Sequence, residues 1–248
     1  MTEPTPRPVA LVTGAARRLG AEIVRTLHGA GYAIALHHHR SGDEARALAA
    51  ALEQDAPGTV LTLQASLDDP SAPQALIDAA VARFGRLDAL VNNASAFTPT
   101  PLGSITREAW DSQFGVNAQA PLMLAQAAAP YLRNAGGAIV NLTDIYAERP
   151  LRHHAAYVMS KAALVAATQV LALELAPEVR VNAVAPGAIL WPDTGKSDEA
   201  KAALMARTPL GRTGTPAEIA AAVLWLLRDA TYTTGQVLRL DGGRMLAG

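Results

Sequence analysis

The chain has 248 residues, 50% of them apolar, and its 21 basic and 22 acidic side chains leave a formal charge of -1. Without a long run of either sign, it lacks the basic footprint of a nucleic-acid binder and the charged patch of a membrane-surface protein. It contains no cysteine, which excludes disulfides, thiolate catalysis and cysteine-ligated metals and fits a reducing compartment.

The opening MTEPTPRP is polar and proline-rich, unlike a secretory signal, and charges interrupt the later apolar stretches before they reach membrane length. The expectation is a cytoplasmic protein with residues 1–7 as a flexible N-terminus and residues 8–248 as one domain.

Residues 8–13, PVALVT, read as a strand running into Gly14, and helical spacing of apolar residues follows over 20–30. A second strand over 32–37 leads to a helix from Ser41, where Ser41 and Glu44 have the spacing of a capping box. A third strand spans 59–64, and a helix over 71–84 stops near Gly85. LDALVNNAS, 87–95, is a fourth strand, followed by a helix over about 106–132 that bends before Pro121. AIVNLT, 138–143, is the fifth strand, and a helix from near Tyr157 to about Ala176 precedes the strand-and-turn VRVNAVAPG. GQVLRLDGG supplies a seventh strand. Alternation of strands and long helices predicts an α/β fold: a Rossmann-like, seven-stranded parallel sheet with helices on both faces. Residues 190–215 stand out as irregular, read either as a substrate loop carrying a short helix or as exposed packing.

TGAARRLG, 13–20, joins the first strand to the first helix, where backbone amides can face a pyrophosphate. Gly14 serves the turn and Gly20 a close approach, although a turn unrelated to any ligand is the alternative. The second strand ends in HHHRS, and His39, Arg40 and Ser41 occupy the place where an acid would bind both ribose hydroxyls of NAD. That basic character favours NADP(H). Neighbouring strand residues point to opposite faces, so the consecutive histidines predict no metal site. His153 and His154 read as surface or lid residues. NNAS, 92–95, lies at the carboxyl end of the fourth strand, with Ser95 offering a hydroxyl and Phe97 either stacking on a flat substrate or packing as a core or lid residue.

Tyr157 and Lys161 share a helix face, where an ammonium favours the phenolate. Asp144 ends the fifth strand thirteen residues before the tyrosine. Two roles are open to it: capping the following loop by accepting backbone amides, or handling a proton beside Tyr157.

TGAARRLG, NNAS, Asn117 in FGVNAQAP, the Tyr157 to Lys161 spacing and VNAVAPG resemble the short-chain dehydrogenase/reductase family over nearly the whole chain. HHHRS, NNASAFTPTPL, the Asp144 to Tyr157 spacing, LAPEVRVNAVAPG and DGGR look most like pteridine reductases and the related dihydrofolate or dihydromonapterin reductases. The resemblance implies that Gly14, Arg18, Leu19 and Gly20 surround the pyrophosphate and that His39, Arg40 and Ser41 select the 2'-phosphate. It places Ser66 and Leu67 near adenine, Ser66 standing where an acid is common. Asn93, Ala94 and Ser95 flank the cofactor, as do Pro186, Gly187 and Ala188.

By the same resemblance Tyr157 relays the proton, Lys161 lowers its pKa and binds the nicotinamide ribose, and Asn117 supports the lysine through a water. Asp144 stands where most of the family carries serine. Arg18, Ser95, Phe97, Leu190 and Trp191 join Asp144 and Tyr157 around a pterin or folate. The implied activity is NADPH-dependent pterin reduction in a homotetramer. A dihydrofolate or dihydromonapterin reductase, a general carbonyl reductase and an inactive cofactor-binding regulatory protein are the alternatives.

Overall fold

The computed structural model describes residues 7–191 and 197–247. The expectation for residues 1–7 concerns a segment of which all but Arg7 lie outside those described, and residues 192–196 of the expected substrate loop lie outside them too.

Seven strands, β1 (Val9–Val12), β2 (Ala33–His38), β3 (Val60–Gln64), β4 (Ala89–Asn92), β5 (Ala138–Leu142), β6 (Arg180–Pro186) and β7 (Val237–Leu240), form one sheet in the order β3-β2-β1-β4-β5-β6-β7. Every pairing is parallel, with Leu11 registered on Ala35 to one side and Leu90 to the other. Crossover helices bury both faces, so β1 is apolar throughout, and alternation along it divides its side chains between them. Ala10 and Val12 face α1 (Arg18–Gly29), α2 (Gly42–Asp55) and α8 (Pro216–Arg228) through Ile23, Val24, Leu48 and Val223. Val9 and Leu11 face α3 (Ala72–Phe84), α5 (Ala120–Ala135) and α6 (Ala155–Leu175) through Ile77, Leu124, Leu132 and Leu171. Strand order reverses between β1 and β4, so the loops leaving their carboxyl ends diverge and open a crevice there.

The bend expected before Pro121 is a five-residue π-helical segment, Gly115–Gln119, between α4 (Arg107–Phe114) and α5. Proline has no N–H for the helical ladder, and widening the turn turns Asn117 into the interior. The capping box expected at Ser41 does not form: its side chain makes no cap hydrogen bond. Helix α8 follows the irregular section where the sequence reading named no element. Thr215 and Glu218 close a reciprocal capping box at its start, and the Arg180 guanidinium donates to the Leu226, Leu227 and Ala230 carbonyls at its end. The short helix expected within 190–215 is α7 (Asp198–Ala206), capped by Ser197.

By length and composition alone, α6 is apolar enough to cross a membrane, contrary to the expectation that no stretch approaches that length. Its packing explains the composition. Tyr157, Ser160, Lys161 and Thr168 are buried polar residues on this helix, and Leu171 and Leu175 belong to the core beneath the sheet. Thr168 accepts from Asn141, which accepts from Asn92, so a polar chain joins α6 to β5 and β4.

Candidate active site

A cleft of about 620 Å³ lies at the carboxyl ends of the strands, where the order reverses. Gly14, Arg18, Leu19 and Gly20 line it from the β1–α1 turn, and Asn93, Ala94 and Ser95 line it from the end of β4. Gly14 has φ +60, and a Cβ there would lie 2.9 Å from the Ala94 Cα. At Gly20 a Cβ would fall 2.2 Å from the Gly14 carbonyl oxygen. Both positions therefore require glycine, one for its backbone angle and clearance, the other for close approach. The Asn93 amide donates to the Thr13 and Gly14 carbonyls at 2.9 and 3.0 Å, so its side chain braces the turn while the residue lines the cleft.

The start of α1 carries neither a side-chain cap at Arg17 nor an acid in its first turn, so its amides and positive dipole end are available to an anion. Arg18 enters this turn at φ 53 and donates to the Trp191 carbonyl at 3.2 Å, tying the turn to the start of the irregular section.

His39, Arg40 and Ser41 line the far end of the same cleft, with Ser66 and Leu67 following β3. Among the lining residues not anticipated are Arg17, exposed and 3.6 Å from Glu44; Asp68; His37; and His38, whose buried Nδ1 has no hydrogen-bond partner among the described residues. A glycine cradle with no room for Cβ, an uncapped helix start, an orphaned buried nitrogen and two exposed arginines fit the phosphates of a dinucleotide.

Asp144 and Tyr157 do not line this cleft; they meet each other beyond its Ser95 rim, where the Ser95 hydroxyl bears on the tyrosine. The tyrosine hydroxyl donates to Asp144 Oδ2 at 2.7 Å, and the Tyr146 amide donates to Oδ1 at 2.8 Å. Of the two roles left open for Asp144, the cap is present, with Oδ1 capping the short 3₁₀ turn Ile145–Ala147, while Oδ2 holds the tyrosine hydroxyl, the contact that proton handling beside Tyr157 requires. Burial raises the Asp144 pKa, opposed by hydrogen bonds from Tyr157 and the Tyr146 amide and by the charges of Lys161 and Arg244. The Tyr157 pKa stands well above its ordinary value, first from burial and then from the adjacent carboxylate, with the Ser95 hydroxyl pulling the other way. Tyr157 is therefore a neutral phenol in this state.

Lys161 is buried close to this pair. Its ammonium donates to the Leu142 carbonyl at 2.8 Å and lies 5.9 Å from the centre of the tyrosine ring. Burial lowers the lysine pKa to about 8 despite Asp144, and the chief influences on Tyr157 are burial and the aspartate. Sharing a helix face fixes where the Cβ atoms lie, not where a four-carbon stem ends.

Asn117 is fully buried and hydrogen-bonded within the protein. Its amide donates to the Ala96 carbonyl and Ser160 Oγ, both at 2.9 Å, while its Oδ1 accepts from the Ala96 amide at 2.8 Å. The side chain is thus committed to fastening the loop after β4 onto α6. Ser160, which passes the bond on to the Tyr157 carbonyl at 2.7 Å, was not singled out in the sequence.

Phe97 is 53% exposed, sets its face against His154 at 4.6 Å between centres and meets Tyr157 edge-to-face at 4.7 Å. It forms an aromatic wall beside the tyrosine, and His154 backs that wall. Leu190 is 39% exposed and Trp191 partly buried, and neither lines the main cleft. Pro186 ends β6; the Gly187 amide bonds to Leu240, and the Ala188 carbonyl accepts from Gly214, so this turn is anchored to β7 and the segment before α8.

Residues 14–244 match a family model described as enoyl-(acyl carrier protein) reductase. The chain is 40% identical over 252 residues to a granaticin polyketide synthase putative ketoacyl reductase 2 of Streptomyces violaceoruber, covering 99% of both chains. It is 37% identical over 286 residues to pteridine reductase 1 of Leishmania tarentolae, covering 99% of this chain and 98% of the relative. Identity to a 3-oxoacyl-(acyl-carrier-protein) reductase of Staphylococcus aureus is 35% over 238 residues, with 94% and 96% covered. With the parallel sheet and the glycine turn at its switch point, these matches establish that the chain belongs to the short-chain dehydrogenase/reductase family of oxidoreductases.

Proposed function

We propose that the protein reduces a pterin ring with NADPH, converting a dihydropterin to the tetrahydro form and extending to oxidised pterins or to dihydrofolate. The carrying observation is the 2.7 Å hydrogen bond between Tyr157 and Asp144. A carbonyl needs one proton on an alkoxide, which a tyrosine supplies unaided. A ring imine is a nitrogen base, and a carboxyl group with a raised pKa is a suitable store for its proton.

The cofactor supplies hydride to a ring carbon; the protein supplies alignment and the proton. Gly14, Arg18, Leu19 and Gly20 would hold the pyrophosphate, with Arg17, Arg40 and Ser41 toward a 2'-phosphate. Phe97 supports a flat ring beside Tyr157. Asp144 and Tyr157 behave as one coupled acid, handing a proton through the phenol to the ring nitrogen next to the reduced carbon. Burial keeps that proton from exchanging with bulk water and keeps the hydrogen bond short.

The second reading is reduction of a β-ketoacyl carbonyl, favoured by the likeness to the Streptomyces and Staphylococcus relatives. A homotetramer is part of the proposal, supported by exposed Met159, Val170 and Leu173 on α6 and Leu122 on α5. The test is oxidation of NADPH and NADH in the presence of dihydrobiopterin, dihydromonapterin and dihydrofolate. NADPH-dependent turnover of at least one of them is expected, with NADH much poorer. Binding of NADPH without turnover of any pterin or folate would remove the pterin reading.

A further inference from the structure

We propose that His37, at the carboxyl end of β2, is a positioning residue that fixes the pyrophosphate turn against the adenosine wall and thereby governs dinucleotide affinity. The inference rests on the dinucleotide reading of the cleft.

The ring is 1% exposed and bridges two backbone groups. The Gly14 amide donates to Nδ1 at 3.2 Å, and Nε2 lies 3.2 Å from the Ala65 carbonyl. An amide can only donate and a carbonyl can only accept, so Nδ1 must be bare and Nε2 must carry the hydrogen. Two partners thus select one neutral tautomer. Burial holds the His37 pKa down at about 4, which preserves that form throughout the neutral range.

The bridged groups bear directly on the cleft. Gly14 opens the turn, and its peptide groups are held from both sides: His37 takes the amide, while Asn93 takes the carbonyl at 3.0 Å. Ala65 immediately precedes Ser66, Leu67 and Asp68, which line the adenosine end. The backbone around His37 reinforces the bridge, its own carbonyl accepting from Ala15 at 2.8 Å and the His38 carbonyl accepting from Ala65 at 3.2 Å. One imidazole therefore sets the spacing between the ends of β1, β2 and β3. A histidine serving the core alone would need neither arm aimed at a residue of the turn.

The two arms can be separated. Asparagine places an acceptor near the position of Nδ1 and keeps the Gly14 arm; glutamine places a donor near Nε2 and keeps the Ala65 arm; phenylalanine keeps the ring and neither bond. Dissociation constants for NADPH and NADH, measured by cofactor fluorescence on the wild-type and variant proteins, are read beside cofactor-free thermal melts and steady-state kinetics. His37→Phe is expected to weaken the preferred cofactor at least tenfold, His37→Asn to recover most of that loss and His37→Gln little of it. The effect should appear in KM for the cofactor more than in kcat. Equal rescue by asparagine and glutamine, or affinity within twofold of wild type in all three, would overturn the inference while leaving the dinucleotide reading intact. If His37→Phe does not fold, the asparagine and glutamine pair decides the matter alone. A wild-type protein that binds neither NADPH nor NADH would remove the dinucleotide reading and this inference with it.

Discussion

Tyr157→Phe is expected to reduce turnover by roughly 100- to 10,000-fold, the range spanned by loss of a positioned general acid. The substitution removes the one hydroxyl that joins the buried carboxylate to the aromatic wall, since Oη donates to Asp144 Oδ2 and the ring meets Phe97 edge-to-face. The ring itself remains, so cofactor affinity should change by no more than a few-fold. Single-turnover rates at saturating NADPH, beside a fluorescence titration of the cofactor, check both parts. A loss confined to cofactor binding would place Tyr157 outside the proton path. The variant also strips Asp144 of its strongest hydrogen bond. Because that bond favours the charged carboxylate, its removal raises the Asp144 pKa further.

Asp144→Asn is expected to lower pterin reduction by about 100- to 1,000-fold, corresponding to loss of about 2–4 kcal/mol of transition-state stabilisation by analogy with oxyanion sites. Its effect on stability has the opposite sign to the usual carboxylate case. The folded-state pKa lies above the unfolded value, so the protonated form is the one the fold prefers. The stabilising contribution is complete below the unfolded pKa and is lost as pH rises through the folded one. At neutral pH the ionised group therefore costs stability, and asparagine should leave Tm unchanged or raised. Activity should carry the matching signature. In the wild type, log kcat/KM with a dihydropterin falls as pH rises past the raised pKa of the acid pair, and Asp144→Asn removes that limb. A large fall in Tm together with an unchanged pH profile would reduce Asp144 to a loop cap.

The separation of these effects shows what the sequence carried and what it did not. The β1 turn was legible because Gly14 and Gly20 answer local demands, a left-handed backbone angle and a missing Cβ, that no other residue meets. The strands were legible from apolar runs bounded by turns, with boundaries displaced by up to three residues, as at the ends of β4 and β7. Helix α8 went unread although Thr215-Pro216-Ala217-Glu218 is a start signal of the kind sought at Ser41. At Ser41 the pattern was present and the cap was not, because the side chain belongs to the cleft rim.

Lys161 was placed on the correct helix face, yet its ammonium is claimed by the Leu142 carbonyl, a strand-end group that no helical spacing reveals. His37 is the converse. In the sequence it was one of three histidines whose alternation argued against a metal, and its two backbone partners, residues 14 and 65, lie just past the ends of β1 and β3. Asn117 likewise depends on a π-helical turn that a proline announces without specifying.

The central claim is that the carboxylate held by Tyr157 suits this site to a ring imine more than to a carbonyl. The most direct measurement is kcat/KM for a dihydropterin and for a β-ketoacyl thioester, with NADPH, in the wild type and in Asp144→Ser. The account predicts that the wild type favours the dihydropterin and that serine depresses pterin reduction by at least 100-fold while sparing or improving the ketoacyl reaction. A wild type that reduces only the thioester, with serine leaving the ratio unchanged, would contradict it.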